Sequence, residues 1–187
     1  MGKTSASSSA QALSVDVLHP DFGLGGAEAL MRDVVLALEA SGAKVRVFTS
    51  HYDKNRCFAE TKDMEVHVYG SAVPRHILQK FHIVFATARA AVCAFRTVFS
   101  RGGSSRKADV YVCDQISAYV LFLRFFTRTP ILFYCHFPDR LLVQNNAGGL
   151  VGKLKSLYRI PFDAFEEFTT GICLRADRIA VLSMYAD

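Results

Sequence analysis

Short apolar runs alternate with longer segments of helical periodicity along the chain. Residues 15–19 and 44–49 are apolar or alternating runs of strand length. Between them, residues 27–40 carry apolar side chains at every fourth position, a spacing that places them on one side of a helix. These side chains are Leu30, Val34 and Leu38. The pattern predicts a strand, a helix and a second strand.

The same alternation continues to the end of the chain. Further strands are predicted at 65–69, 110–113, 131–135 and 178–182, and further helices at 74–100, 116–126 and 151–175. Strands that alternate with helices form stacked βαβ units around a parallel sheet. The predicted fold class is therefore α/β: a Rossmann-like parallel sheet with helices on both faces, spanning residues 15–187 after a flexible leader at 1–14.

Composition narrows the classes of protein that the chain can represent. The 187 residues are 51% hydrophobic and 21% charged, which suits one globular domain and excludes a disordered or fibrous chain. The leader is small and polar and lacks the apolar stretch of a signal peptide. A net charge of +5 allows an anionic partner, such as nucleic acid, anionic lipid or a phosphorylated substrate, but does not choose among them. We predict no nucleic-acid binding, because the basic residues are scattered and no known module pattern is present.

The first strand is followed by a glycine-rich turn, HPDFGLGGAE, which opens the first helix. Gly25 and Gly26 allow backbone N–H groups to approach a ligand where the helix dipole is positive, an arrangement that suits a diphosphate. Asp21 lies in the same turn. The alternative is a tight strand-to-helix turn with no ligand. A nicotinamide site is disfavoured because a third glycine is missing, and a Walker motif is absent.

Two later strands end in polar residues that the same edge of a parallel sheet would bring together. His136 follows the fifth strand and can hydrogen-bond a reacting sugar or phosphate; a purely structural histidine remains the alternative. Chance pairing of histidine with carboxylates gives no sound metal motif, so no metal site is predicted. The candidates for this cleft, besides His136, are Asp114, Gln115, Phe137, Pro138 and Asp139.

The helix predicted within 74–100 raises the question of a membrane surface. His82, Arg89 and Arg96 are spaced by seven residues, which places them on one face of a helix that is otherwise apolar. Arg89 and Arg96 are therefore candidates for contact with an anionic bilayer surface. A buried helix whose long basic side chains reach solvent fits the same pattern.

Several ordered runs of the chain resemble one family of glycosyltransferases. They are HPDFGLGGAE, VRVFTSHYDKNRCFAE, VYVCDQISA, ILFYCHFPDRLL, LYRIPFDAFEEFTTG and ADRIAVLS. Together they resemble the N-terminal half of the α-1,3/1,6-mannosyltransferases of dolichol-linked oligosaccharide assembly, which are retaining GT-B enzymes of glycosyltransferase family 4. The leader and residues 71–108 follow the family only loosely.

The resemblance implies an activity, a location and roles for particular residues. It implies transfer of mannose from GDP-mannose to a mannosylated, dolichol-diphosphate-linked oligosaccharide on the cytosolic face of the endoplasmic reticulum membrane, without a metal or other cofactor. Gly25 and Gly26 match the loop that approaches the donor diphosphate. His136 matches a catalytic histidine near the transferred sugar, within a motif completed by Phe137, Pro138 and Asp139.

The resemblance covers only the acceptor-facing half of a GT-B enzyme, in which the grip on the nucleotide sugar comes from a C-terminal domain. The expectation is a chain that lacks this donor domain and is inactive alone, as a truncated product, a fragment or half of a split enzyme. The rival hypothesis from another class is a non-catalytic acceptor-binding or scaffold subunit.

Overall fold

A computed structural model describes residues 12–74, 82–99 and 107–134. It also describes five isolated helical residues within the predicted helix 151–175, namely Ile160, Ala164, Glu167, Phe168 and Gly171. The rest of that helix and the strand predicted at 178–182 lie outside the described residues.

The observed elements match the predicted ones closely where the structure describes them. In chain order they are β1 (Ser14–His19), α1 (Gly26–Ala40), β2 (Lys44–Thr49), a 3₁₀ turn (Ala59–Lys62), β3 (Val66–Val68), α2 (His82–Phe99), β4 (Val110–Asp114), α3 (Ala118–Phe126) and β5 (Ile131–Tyr134). Two elements are shorter than predicted: β3 loses a residue at each end, and α3 begins two residues later than expected.

The five described strands form one parallel sheet in the order β3-β2-β1-β4-β5. The strands β2 and β3 are therefore added on one side of β1, and the chain then crosses over to add β4 and β5 on the other side. This is the doubly wound arrangement, and it confirms the predicted Rossmann-like α/β class.

Helices cover both faces of the sheet because successive side chains of a strand point to opposite sides. Every residue of β1 is buried. Val15 and Val17 pack with Met31 and Val35 of α1 on one face. On the other face, Leu18 packs in the cluster formed by α2 and α3. Burying side chains of this size contributes about 1.5–3 kcal/mol each, so β1 is the centre of the core.

One charged pair lies within the face covered by α2 and α3. Asp16 of β1 and Arg46 of β2 are register partners, and two hydrogen bonds of 2.8 Å join the guanidinium to both carboxylate oxygens. Both side chains are nearly buried. Bidentate pairing satisfies the two charges that burial would otherwise penalise. Nearby, burial and then the Asp16 carboxylate raise the pKa of Tyr111 to about 12.

The end of α1 is fixed by a glycine in the left-handed region. Gly42 has φ +91°, and its N–H donates to the carbonyl of Glu39 at 2.9 Å. A residue with a Cβ would be strained there, which explains the sharp return of the chain into β2.

Candidate functional site

A buried histidine and a buried aspartate meet at the carboxyl end of the sheet. His19 ends β1 and Asp114 ends β4, and the two strands are neighbours. Nδ1 of His19 lies 2.7 Å from Oδ2 of Asp114, and neither side chain is exposed to solvent. Ionisable groups are rarely buried so completely unless they are paired. The pair therefore holds the central strands together at the edge where α/β proteins bind ligands.

The glycine turn leads directly from β1 into α1. Gly25 is the N-cap in an extended conformation and makes no side-chain capping bond, while Gly26 is the first helical residue. A Cβ on Gly26 would meet no atom within 4 Å. The first-turn N–H groups of a helix have no intrahelical acceptors. The open space at Gly26 thus lies beside donors suited to an anion.

The third helical residue, Glu28, changes the electrostatics of this turn. A Cβ added to Gly25 would collide with the Glu28 carboxylate, so that carboxylate lies directly against the start of the helix. Its Oε1 is 4.0 Å from Nε2 of His19. A negative charge at a helix N-terminus is stabilising, and Glu28 supplies it in place of a capping side chain.

A pocket of about 230 Å³ opens beside the turn, between the carboxyl ends of β1 and β2. Its lining contributes three carboxylates and one guanidinium, and the full set is Asp21, Gly23, Leu24, Glu28, His51, Asp53 and Arg56. Carboxylates accept hydrogen bonds from hydroxyl groups, and guanidinium donates to oxygen atoms. This lining therefore suits a hydroxyl-rich ligand such as a sugar.

Gln115 lies at the same edge of the sheet and has an unusual backbone conformation. It follows β4 with φ +62°, and among the described residues it is the only one other than glycine with positive φ. Its N–H donates to the carbonyl of Tyr134 at 3.3 Å, and its side chain is exposed. Left-handed backbone in a residue with a side chain is uncommon and concentrates at functional sites.

The structure brings some of the predicted site residues together and separates others. Asp21 lines the pocket, Gly25 lies against the Glu28 carboxylate that also lines it, and Gly26 is the next residue along the chain. Asp114 reaches the correct edge, yet its carboxylate is buried against His19 and does not open to a cleft. The remaining candidates, His136, Phe137, Pro138 and Asp139, lie outside the described residues.

Sequence reasoning missed five residues that the fold brings to this site. His19 and Glu28 stand in the quoted HPDFGLGGAE run, but spacing alone does not show that the two side chains converge. His51, Asp53 and Arg56 follow β2. Their position in the sequence could have identified them, because polar residues that directly follow a strand lie at the ligand-binding edge of a parallel sheet.

The expectation of a single outward basic stripe on α2 is wrong for Arg89. Its Nη2 donates to the carbonyl of Ser50 at 2.7 Å, and the residue is half-buried. Arg89 therefore ties α2 to the end of β2. Arg96 is exposed, as expected for a surface cation.

Four phenylalanines form an exposed group at the opposite end of the domain, which we call the phenylalanine cluster. Their ring centroids lie 4.5–5.7 Å apart in successive contacts. The members are Phe95 and Phe99 of α2 and Phe125 and Phe126 of α3. Phe125 is 83% exposed and Phe99 is 52% exposed. Exposed rings in contact with one another form a contiguous apolar patch, which is typical of an interaction surface.

The Cys93 thiol, which is buried on the face covered by α2 and α3, is not poised for reaction. Burial raises the pKa of the Cys93 thiol to about 12, so it stays protonated at neutral pH and is a poor nucleophile. Within the described ranges, no three histidine, cysteine or acidic side chains converge closely enough to hold a metal ion.

The doubly wound sheet, with its polar edge at the carboxyl ends of β1, β2 and β4, defines a Rossmann-like α/β domain. The particular family follows from comparison: residues 24–186 match Glycosyltransferase Family 4, and the chain belongs to that family.

Curated relatives agree with this assignment. The chain is 43% identical to the alpha-1,3/1,6-mannosyltransferase ALG2 of Dictyostelium discoideum over 92% of its own length and 39% of the relative's. The ALG2 protein of Mus musculus is 43% identical over 92% of this chain and 40% of its own. That of Saccharomyces cerevisiae is 38% identical over 92% and 33%. The chain thus spans between a third and two fifths of these relatives, and the resemblance seen in the sequence is confirmed.

No helix in the described ranges combines the length and the apolar character needed to cross a membrane.

Proposed function

We propose that this chain is the acceptor-side part of an α-1,3/1,6-mannosyltransferase. It would act in the transfer of mannose from GDP-mannose to a dolichol-diphosphate-linked oligosaccharide, without a metal or other cofactor. The observation that carries the proposal is identity of 38–43% over 92% of the chain to proteins named for this activity. The hydroxyl-binding character of the pocket beside the glycine turn supports it.

The geometry supports a division of roles among the residues of this half. Gly25 and Gly26 approach the donor diphosphate, since the space at Gly26 is open and lies at a helix N-terminus. Asp21 and Gln115 contact the acceptor from the pocket and from the adjacent strand end. Asp114 acts indirectly, by fixing His19.

His136 acts in this function as the catalytic residue that hydrogen-bonds the reacting mannose, and Phe137, Pro138 and Asp139 complete its motif. The donor grip is assigned to a second domain, because a retaining transfer needs donor and acceptor aligned in one cleft.

The test is a transfer assay with the purified chain, GDP-mannose and a lipid-linked acceptor analogue. It is run with the chain alone and again with a separately expressed C-terminal domain of an ALG2 relative. Mannose transfer only in the combined reaction is expected. Acceptor binding without transfer in either reaction would favour the non-catalytic acceptor-binding or scaffold subunit.

Within the active combination, Gly26→Val should raise the KM for GDP-mannose, because a branched side chain fills the open space at the helix start. Ala40→Val, at the exposed last residue of the same helix, is the matched control. Equal KM values for the two variants would contradict the diphosphate role of the turn.

We further propose that this half contacts the cytosolic face of the endoplasmic reticulum membrane through the phenylalanine cluster and Arg96. Aromatic rings partition into the bilayer interface, and an arginine adds attraction to anionic lipid. The patch has both components, since Arg96 is exposed beside Phe95 and Phe99.

Flotation with vesicles containing phosphatidylserine tests the membrane contact. The double variant Phe99→Ser with Phe125→Ser should lose most binding, and Arg96→Glu should make the remaining binding less sensitive to salt. Leu24→Ser removes an exposed apolar side chain at the other end of the domain and is the matched control. Unchanged flotation of the double variant would overturn this contact.

A further inference from the structure

Glu28 occupies the place where an anionic ligand of the glycine turn would bind. Its carboxylate lies so close to Gly25 that a Cβ there would collide with it, at the positive end of the α1 dipole. A phosphate and this carboxylate cannot share the position at Gly25, because both are anionic and would occupy the same space beside the helix start. A phosphate that extends from the open space at Gly26 to Gly25 must therefore displace Glu28.

A buried ring nitrogen of His19 is placed to accept the displaced carboxylate as a hydrogen-bond partner. Nε2 of His19 is buried and has no hydrogen-bond partner, although it faces Oε1 of Glu28 at 4.0 Å. Buried polar atoms are paired in nearly all folded proteins, so an open one deserves an explanation. A shift of roughly 1 Å would bring the two atoms to the length of a charge-assisted hydrogen bond.

The other ring nitrogen of His19 is already fixed. Nδ1 is bonded to Asp114 at 2.7 Å, and the edge of the ring packs against Phe22 with centroids 6.0 Å apart. The imidazole therefore cannot turn away from Glu28. With both nitrogens protonated, the ring can donate to Asp114 and to Glu28 at once.

We propose that Glu28 is a displaceable carboxylate that guards the phosphate position of the glycine turn, and that His19 is the positioning residue that receives it. Without ligand, Glu28 stabilises the start of α1. An arriving phosphate binds the first-turn N–H groups, and the carboxylate moves onto Nε2 of His19. Asp114 keeps the ring in place. This inference rests on the proposed diphosphate role of Gly25 and Gly26.

Titration calorimetry of the full chain with inorganic pyrophosphate tests the displacement. Glu28→Gln keeps the shape of the side chain and removes its charge, so pyrophosphate should bind about 3- to 10-fold more tightly, given the energies of charges at helix ends. Glu39→Gln makes the same charge change at the exposed end of α1 and should leave the affinity unchanged.

The role of His19 is tested by a double-mutant cycle with His19→Gln. Loss of the imidazole should weaken pyrophosphate binding severalfold when Glu28 is present, and should have no effect in the Glu28→Gln background. A residue that merely supports the fold would weaken both backgrounds equally. Additive effects would therefore overturn the positioning role.

Because His19 is buried, a second measurement avoids its replacement. In chain labelled with ¹⁵N-histidine, saturating pyrophosphate should shift the Nε2 resonance of His19 toward that of a hydrogen-bonded N–H group. The shift should be absent in Glu28→Gln. An Nε2 resonance that does not respond in the unmodified chain would show that Glu28 does not move onto His19.

The outcomes separate this inference from the function on which it rests. If pyrophosphate binds neither the unmodified chain nor Glu28→Gln, the diphosphate role of the turn is wrong. If it binds both with equal affinity, the turn binds phosphate and the displacement of Glu28 is wrong.

Discussion

The two ends of the sheet depart from the usual distribution of side chains in opposite directions. At the carboxyl end, His19 and Asp114 are ionisable and buried. At the amino end, where α2 and α3 stop before β4 and β5 begin, the four rings of the phenylalanine cluster are exposed. Charged groups normally face water and aromatic rings normally pack inside. The buried pair is satisfied by its own hydrogen bond and joins two strands, whereas the exposed rings only contact one another and leave apolar surface in water.

The difference between the two ends predicts that substitutions change the free energy of unfolding by unequal amounts. The largest change is expected at the carboxyl end. Asp114→Leu keeps a branched side chain of similar shape but leaves the buried His19 ring without its partner. Breaking a buried polar pair in this way costs about 3–5 kcal/mol. Urea unfolding followed by circular dichroism measures the loss.

The control for this change removes both partners. The double variant His19→Phe with Asp114→Leu should recover more than half of the lost stability, because two apolar side chains leave no unpaired polar atom. If the free energy of unfolding of Asp114→Leu lay within 1 kcal/mol of that of the unmodified chain, the buried pair would not stabilise the fold as proposed.

A smaller change in the free energy of unfolding is expected when Tyr111 ionises at high pH. This residue lies between the two ends and beside the Asp16–Arg46 pair. Its pKa is raised to about 12 by burial and then by the Asp16 carboxylate, above the ordinary value near 10. Below pH 10 the phenol is protonated in both states, and its contribution is complete. Between pH 10 and 12 only the unfolded chain ionises, so stability should fall by about 2 kcal/mol through this residue.

The measurement compares the free energy of unfolding at pH 9 and pH 11.5 for the unmodified chain and Tyr111→Phe. Cys93 and Tyr119 also have raised pKa values because of burial, so both proteins should lose stability. The variant should lose less. Parallel losses would mean that Tyr111 ionises as readily in the folded chain as in the unfolded one.

The fold was predictable from the sequence because its signals are local and repeated. The four-residue spacing of Leu30, Val34 and Leu38 defines one side of α1, and the glycine at position 42 ends that helix. The strand bounds followed from short apolar runs, and the parallel direction of the strands followed from their alternation with helices.

The site was less predictable because its contacts join distant parts of the chain. His19 and Asp114 are 95 residues apart, and periodicity carries no information about which strands become neighbours. For Arg89 the sequence suggested a surface position that the structure does not show. Its spacing with Arg96 is helical, but only the packing of α2 on β2 shows that its guanidinium reaches Ser50. The phenylalanine cluster likewise requires two helices to end side by side.

The smallest effect on stability is expected at the amino end. Phe125 is 83% exposed and contacts Phe126 at the margin of the cluster, so Phe125→Ser should change the free energy of unfolding by no more than about 0.5 kcal/mol. The same change should reduce self-association at high concentration, because exposed rings in contact promote binding between molecules. Sedimentation velocity over a range of concentrations measures this second effect, and Leu24→Ser supplies the control at the opposite end. If Phe125→Ser destabilised the chain by more than 1 kcal/mol, the ring would belong to the core, and the contrast between a polar end that supports the fold and an aromatic end free for other contacts would fail.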